Sequence, residues 1–171
     1  MQIIESNSDD NYREISFRIV KLFGIPITVC NLIEGIMMVK KMIREGKPQL
    51  VVLANAHTFN IACEDNTYKE VLKNAGLVLR DGSGVGWALR KKVGTAGNNF
   101  VGQDFMPHLL RHSSPFNYKV YLLGSKPGVS EKAAKQLLSL APDTIISGCY
   151  HGYFSYKETD KVIDRINKAK S

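Results

Sequence analysis

Residues 50–90, LVVLANAHTFNIACEDNTYKEVLKNAGLVLRDGSGVGWALR, constrain this chain more than any other stretch. An apolar run at 50–54 ends in the polar cluster Asn55, His57, Thr58 and Asn60. A helical pattern follows, and a second apolar run at 76–79 ends in Arg80-Asp81-Gly82-Ser83-Gly84. Two short apolar runs separated by helical spacing read as a βαβ unit with parallel strands. Ligands of such sheets gather outside the carboxyl ends of the strands. Residues 55–58 and 81–84 both stand at such ends, so one crevice is expected to hold them.

The rest of the chain repeats this alternation. Residues 1–12 are expected to be a flexible N-terminus, and 13–171 a single α/β domain. Residues 15–22 read as a strand, Gly24-Ile25-Pro26 as a turn and 27–30 as a further extended piece. Asn31 opens a helix, with Glu34 three residues on resembling a capping box. Its apolar positions Leu32, Ile33, Ile36, Met37, Val39, Met42 and Ile43 recur at helical spacing, and Gly46 stops it. The strand at 50–54 is apolar throughout, as expected where helices cover both faces. Residues 65–74 form a helix placing Tyr68, Val71 and Leu72 on one face, and 77–79 the next strand. A helix at 83–92 carries Val85, Trp87, Ala88 and Leu89. Three glycines and two adjacent asparagines mark 94–102 as a mobile loop. Residues 103–112 look helical although Pro107 is tolerated only in a first turn. A strand at 119–123 leads through a turn at 124–128 into an amphipathic helix with Val129, Ala133, Leu137, Leu138 and Ala141. A strand at 144–147 is closed by Gly148. Ser155 and Glu158 then cap a last helix bearing Val162, Ile163 and Ile166. The fold class is α/β: a Rossmann-like open, mostly parallel sheet with helices on both faces.

Charge and composition exclude several classes of function. The net charge of +7 favours anionic partners such as a nucleotide or phospholipid headgroups. No nucleic-acid motif accompanies it, so no nucleic-acid partner is expected. No apolar run approaches the roughly 20 residues that span a bilayer. The N-terminus lacks a basic segment followed by an apolar stretch, so a cytoplasmic location is the default. Cys30, Cys63 and Cys149 lie far apart without a C-x-x-C pair and read as small core residues. The four histidines show no metal-ligand spacing, and no metal is expected.

Five motifs then stand in order: N-A-H-T-F-N at 55–60, D-G-S-G-V at 81–85, G-Q-D-F at 102–105, L-L-G-S-K-P-G-V-S-E-K-A-A at 122–134 and H-G-Y-F at 151–154. Together they resemble the WecG/TagA/CpsF glycosyltransferase family, over roughly residues 23–154. The resemblance implies transfer of a sugar, N-acetylmannosamine or another hexose, from a UDP-sugar. The acceptor it implies is a polyprenyl-diphosphate-linked saccharide, in the building of cell wall, teichoic acid, capsule or exopolysaccharide. It also implies a metal-independent reaction without a cofactor, at the inner face of the plasma membrane. Family members carry a further sheet-and-helix section and a membrane-touching basic appendage beyond this point. The chain is therefore expected to be a short member or an amino-terminal part, with apolar surface that invites a homo-oligomer.

Each candidate residue has two readings. The resemblance makes Asp81 the catalytic base, and Gly82 and Gly84 leave room for a substrate beside it. Alternatively, Asp81 or Ser83 caps the following helix. Asn55 and Thr58 are implied to line the substrate cleft. His57 is a candidate for a sugar hydroxyl or phosphate, or a structural residue at a helix start. Gln103 and Asp104 contact the donor sugar or cap a helix. Gly124, Ser125, Lys126 and Gly128 form a glycine-bearing turn at a helix N-terminus, suited to a diphosphate, or simply a tight connection. Tyr153 and Phe154 stack on a base or pack the sheet edge, with packing favoured. Many family members carry an arginine where Asn99 stands, so a fixed positive charge is not expected there. The rival from another class is a non-catalytic nucleotide- or phospholigand-binding module, or an inactive fragment; a scaffold pairing through a sheet edge is the third.

Overall fold

The computed structural model describes residues 2–4, 15–113 and 118–169. It divides into two compact units, Met1–Phe105 and Met106–Ser171. The first unit holds a five-stranded sheet in the order β1-β2-β3-β5-β4. Its strands are β1 (Gln2–Ile4), β2 (Ile15–Leu22), β3 (Ile25–Val29), β4 (Val51–Ala54) and β5 (Leu77–Arg80). The second holds the parallel pair β6 (Lys119–Leu123) and β7 (Ile145–Tyr150). Seven α-helices accompany them among the described residues. The fold is the expected Rossmann-like α/β arrangement, with β3, β5 and β4 mutually parallel. β1 and β2 extend that sheet in antiparallel fashion. Of the N-terminus expected to be flexible, Gln2–Ile4 pairs with β2, and residues 5–12 lie outside the described residues.

The β2–β3 connection is tighter than its sequence suggests. Phe23 and Gly24 both have positive φ, 51° and 85°, and make a two-residue hairpin turn whose twist matches the flanking strands. Ile25 and Pro26 therefore belong to β3 and not to the turn. β5 meets β3 at Thr28↔Leu79, beyond Pro26, so the missing proline N–H is not needed there.

The strand buried on both faces is β5, where Leu77, Val78, Leu79 and Arg80 are all buried. β4, expected to be covered throughout, is the outer strand, and only its Ala54 is fully buried. Val78 packs in a cluster with Ile25, Ile27, Phe59, Leu72, Val85 and Leu89. Leu77 and Leu79 point to the opposite face by the two-residue alternation of a strand. Helix α1 (Leu32–Arg44) opens with the expected capping box: the Glu34 N–H donates to Asn31 Oδ1 at 3.0 Å, and the Asn31 N–H to Glu34 Oε2 at 2.6 Å. Ile36, Met38 and Val39 are its buried apolar side chains, whereas Ile33 and Ile43 are exposed. Helix α2 (Ala56–Glu64) follows β4 directly, and α3 (Asn66–Lys73) is capped by Asp65, with Leu72 inward and Val71 exposed. Helix α4 (Ser83–Val93) buries Val85 and Leu89 and leaves Trp87 in solvent, not in the core. Cys30 is buried as expected, but Cys63 is exposed, on the outer side of α2.

Helix α5 (Gly102–Ser113) contains Pro107 beyond its first turn. The proline ring is buried, and that apolar burial offsets the backbone bond it cannot make. In the second unit, α6 (Val129–Leu140) buries Ala134 and Leu137, while Ala133, Val129 and Leu138 stay exposed. β7 is longer than expected: Gly148 pairs with Tyr121 instead of ending the strand. A Cβ on Gly148 would lie 2.6 Å from the Tyr121 ring, so glycine there lets the ring lie flat on the strand. A short 3-10 turn, Tyr156–Glu158, precedes α7 (Thr159–Ala169), which turns Val162 inward and Ile163 outward.

Two outcomes follow. Leu79→Ala should cost about 2–5 kcal/mol in denaturant unfolding, whereas exposed Val71→Ser should stay within about 0.5 kcal/mol. The backbone N–H and the hydroxyl of Ser155 hold the Glu158 carboxyl below its ordinary 4.5, with Lys161 and His151 acting the same way against a small desolvation. A depressed carboxyl stabilises above its unfolded pKa and loses that contribution as pH falls through the folded value. Protection factors of amides in the first turn of α7, taken relative to intrinsic exchange at each pH, should therefore fall below pH 4.5, and Glu158→Ala should abolish that change in protection.

Candidate functional site

The first unit gathers its polar motifs at the carboxyl ends of β4 and β5. Ala54 pairs with Arg80, and the Asp81 N–H donates to the Ala54 carbonyl at 2.8 Å. Asn55 and Asp81 therefore leave the sheet side by side. Helices α2 and α4 start immediately after them and approach closely: a Cβ on Gly84 would lie 3.7 Å from that of Ala56. The first residue of α5 is near too, with Gly102 against Leu53 of β4. Asn55, His57, Thr58, Asp81, Gly82 and Gly84 are thus brought together, with Gln103 and Asp104 exposed on the first turn of α5.

Asp81 does not cap α4, and neither does Ser83. The N-cap is Gly82, at φ 84° and ψ 164°, without a side-chain cap bond. That backbone region is essentially open to glycine alone. The Asp81 carboxylate is half-buried and accepts no hydrogen bond from the described residues. Asn55 and Thr58, by contrast, build a helix start. Asn55 Oδ1 accepts from the Thr58 N–H at 3.1 Å, and Thr58 Oγ1 accepts the Asn55 N–H at 3.3 Å. Asn55 is exposed, and its amide nitrogen takes no part in this cap. His57 is exposed on the same turn.

The residue that sequence reading passed over is Arg80. It is only 8% exposed, at the end of an apolar strand. Its Nε donates to the Ala96 carbonyl at 2.9 Å and its Nη2 to that of Gly97 at 3.1 Å. Its Nη1 donates to the Gly82 carbonyl at 3.1 Å and to Asn99 Oδ1 at 3.0 Å. Asn99 Oδ1 also accepts the Gly82 N–H at 2.7 Å. Position 99 itself carries no charge, but a guanidinium reaches its side chain from position 80. Burial, then Arg90, lowers its pKa from the ordinary arginine value, and Asp81 acts in the opposite sense. The visible signal was an arginine closing an otherwise apolar strand.

The same contacts pin the segment at 94–102 that was expected to be mobile. Asn98 N–H reaches the Cys30 carbonyl at 2.8 Å, Phe100 N–H reaches that of Arg80 at 3.0 Å, and Phe100 is buried. Beside this segment lies a hollow of about 520 Å³ whose walls include Arg18, Cys30, Glu34 and Thr95. Burial first, and Glu34 second, push the Cys30 thiol up to about 12, so it is no nucleophile near neutrality.

The turn at 124–128 belongs to the second unit. Gly124, Ser125 and Gly128 all have positive φ, and the Gly152 N–H donates to the Ser125 carbonyl at 2.8 Å. Gly128 precedes α6 without a side-chain cap, leaving the first helical N–H groups unclaimed by side chains. A cleft of about 290 Å³ lies there, lined by Leu123, Gly124, Ser125 and Ser130 among others. Lys126 is exposed. Phe154 packs near Tyr150 at 6.3 Å, whereas Tyr153 is 67% exposed and does not pack the sheet edge. No group of three or more potential metal ligands occurs among the described residues, and none of the described helices is long and apolar enough to cross a membrane.

The sequence pattern of the Glycosyl transferase WecG/TagA/CpsF family matches residues 20–171. Proteins of Staphylococcus aureus strains MRSA252, NCTC 8325 / PS 47 and COL are 29% identical over 116 residues. Each is named N-acetylglucosaminyldiphosphoundecaprenol N-acetyl-beta-D-mannosaminyltransferase. The match covers 68% of this chain and 45% of each relative, so it spans less than half the relatives' length.

Removing the shared acceptor should loosen the turn that carries Asp81. Asn99→Ala is expected to cost about 1–3 kcal/mol and to speed amide exchange at Gly82. Arg80→Met, which strips donors from three backbone carbonyls, one of them buried, should cost more than Asn99→Ala. Equal exchange at Gly82 in wild type and Asn99→Ala would contradict the assignment.

Proposed function

The chain belongs to the Glycosyl transferase WecG/TagA/CpsF family, and from that premise we propose that it transfers a hexose, N-acetylmannosamine or a close relative, from a UDP-sugar to a polyprenyl-diphosphate-linked saccharide. The names of the staphylococcal relatives supply the pattern: a diphosphoundecaprenol-linked acceptor and an N-acetylmannosaminyl donor group. In this reading an acceptor hydroxyl oxygen attacks the anomeric carbon while the bond to the UDP oxygen breaks. UDP leaves with the bonding electrons, and the Asp81 carboxylate takes the hydroxyl proton. The observation that carries the reading is a half-buried carboxylate at the end of a central strand, not used as a helix cap and followed by a glycine without a side chain.

Other groups fall into supporting roles. The Asn55 amide, His57, Gln103 and Asp104 offer donors and acceptors to sugar hydroxyls. Thr58 fixes Asn55 and shares its edge of the crevice. Helix starts favour negative charge, so α2 and α4 suit the developing diphosphate. In the second unit, taken by itself, the 124–128 turn with Lys126 is a separate anion-binding candidate. Such dipoles and cations stabilise a leaving group without a metal, which matches the metal-independent reaction proposed here. The location that fits a lipid-linked acceptor is the cytoplasmic face of the membrane.

The test is UDP release from a panel of UDP-sugars, with and without a short polyprenyl-diphosphate saccharide, for wild type and Asp81→Asn. Acceptor-dependent release should fall by about 10²–10⁴-fold in the variant, with UDP binding retained. A folded wild type that binds UDP but releases none from any donor would instead be a nucleotide-binding module.

A further inference from the structure

Helix α4 starts at the candidate crevice and carries an outward stripe that, beyond Gly84, takes no part in that crevice. Gly84, Trp87, Arg90, Lys91 and Gly94 recur at three- and four-residue spacing and are all exposed, while Val85, Gly86 and Leu89 face inward. Trp87 is 61% exposed, one turn beyond the crevice residue Gly84. Lys91 lies over its ring, 6.0 Å from the centroid. The helix holds three cations, Arg90, Lys91 and Lys92, and no carboxylate. Lys92 turns aside to the Lys21 carbonyl at 2.7 Å, which leaves Arg90 and Lys91 beside the indole.

We infer that this stripe is a docking surface for an anionic lipid bilayer. Tryptophan is enriched at the boundary between hydrocarbon and water, where its ring is apolar and its N–H stays wet. Arginine and lysine flanking it bury their stems along apolar surface and keep their charge at headgroup level. The charge is of the right sign and is not neutralised along the helix. The stripe also begins where the crevice does, so a bilayer seated on Trp87 lies within one helical turn of Gly84. A lipid-linked saccharide would then need no excursion from the membrane to reach Asp81. The inference deepens the proposed lipid-linked acceptor and rests on it for its purpose, though not for its measurement.

Trp87 is the only tryptophan in the chain, so intrinsic fluorescence reads this surface directly. The full chain is titrated with phosphatidylcholine vesicles containing or lacking phosphatidylglycerol. The expected result is a blue shift with the anionic vesicles only, quenched by brominated acyl chains and reversed by salt. Arg90→Glu with Lys91→Glu should weaken vesicle binding at least roughly tenfold. Circular dichroism confirms that the double variant folds, and Trp87→Ser provides a second variant by vesicle sedimentation. No shift with anionic vesicles, or equal binding by the charge-reversed protein, overturns the inference. So does a blue shift that depends on protein concentration alone, which would assign the face to a second copy. UDP release measured separately keeps the two readings apart: vesicle binding without any release removes the transferase reading, and release without vesicle binding removes this one.

Discussion

The guanidinium of Arg80 is the interaction on which the first unit's functional edge depends. A charge this deeply placed is costly unless its donors are matched. Here they are matched by backbone carbonyls from two directions: Gly82 on its own strand-to-helix turn, and Ala96 and Gly97 on the segment that follows α4. One side chain therefore fastens the turn carrying Asp81 to a segment that would otherwise have only two backbone bonds to the sheet. The demand spreads to its neighbours. A Cβ on Gly86 would lie 2.8 Å from Arg80 Nη1, so the helix must be bare where the guanidinium crosses it. Gly97, at φ 62°, must likewise be bare because a Cβ would lie 2.6 Å from the Cys30 carbonyl oxygen. One of these bare positions is set by the cation and the other by the backbone of the segment it fastens.

The sheet register turns this local fastening into a site. With β4 and β5 parallel and Ala54 opposite Arg80, the two chains leave the sheet at the same level. Each enters a helix at once, and their helix starts face one another across Ala56 and Gly84. Two helix dipoles then point positive ends toward a single region in which Asp81 is the half-buried carboxylate. Such a region can accept a proton at one atom while favouring negative charge a few ångströms away. Transfer of a sugar from a diphosphate asks for both.

Much of this was legible in the order of residues. The βαβ reading of 50–90 follows from apolar run length and helical spacing, and β4, α3, β5 and α4 lie where that spacing puts them. The capping boxes at Asn31 and Ser155 are local patterns that local bonds satisfy. What failed was decided by neighbours distant in sequence, although the parallel pairing of β4 with β5 was read correctly. Trp87 and Val71 are apolar and correctly spaced, yet both side chains stay largely in solvent. The burial assigned to β4 belongs to β5, because strand order, not strand composition, decides which strand is interior. The segment at 94–102 has a mobile composition but is held by bonds to Cys30 and Arg80, far back in the chain. Gly148 reads as a strand end because nothing local reveals that an aromatic ring on the adjacent strand needs the space.

Asn99 shows why a motif position is an unreliable proxy for a physical group. Judged by its place in the family pattern, the substitution of asparagine for arginine removes a cation. Judged in space, the cation is present, carried by β5 and aimed at Asn99 Oδ1 from the other side. Asparagine then has its own task, because one oxygen accepts from both the guanidinium and the Gly82 N–H. An arginine at 99 has no acceptor to offer either donor and would meet the Arg80 charge directly. The two residues are therefore joined: the oxygen at 99 accepts from Arg80 and holds the Gly82 N–H beside it. What Asn99 secures in this chain is the polar fastening of the Asp81–Gly82 turn.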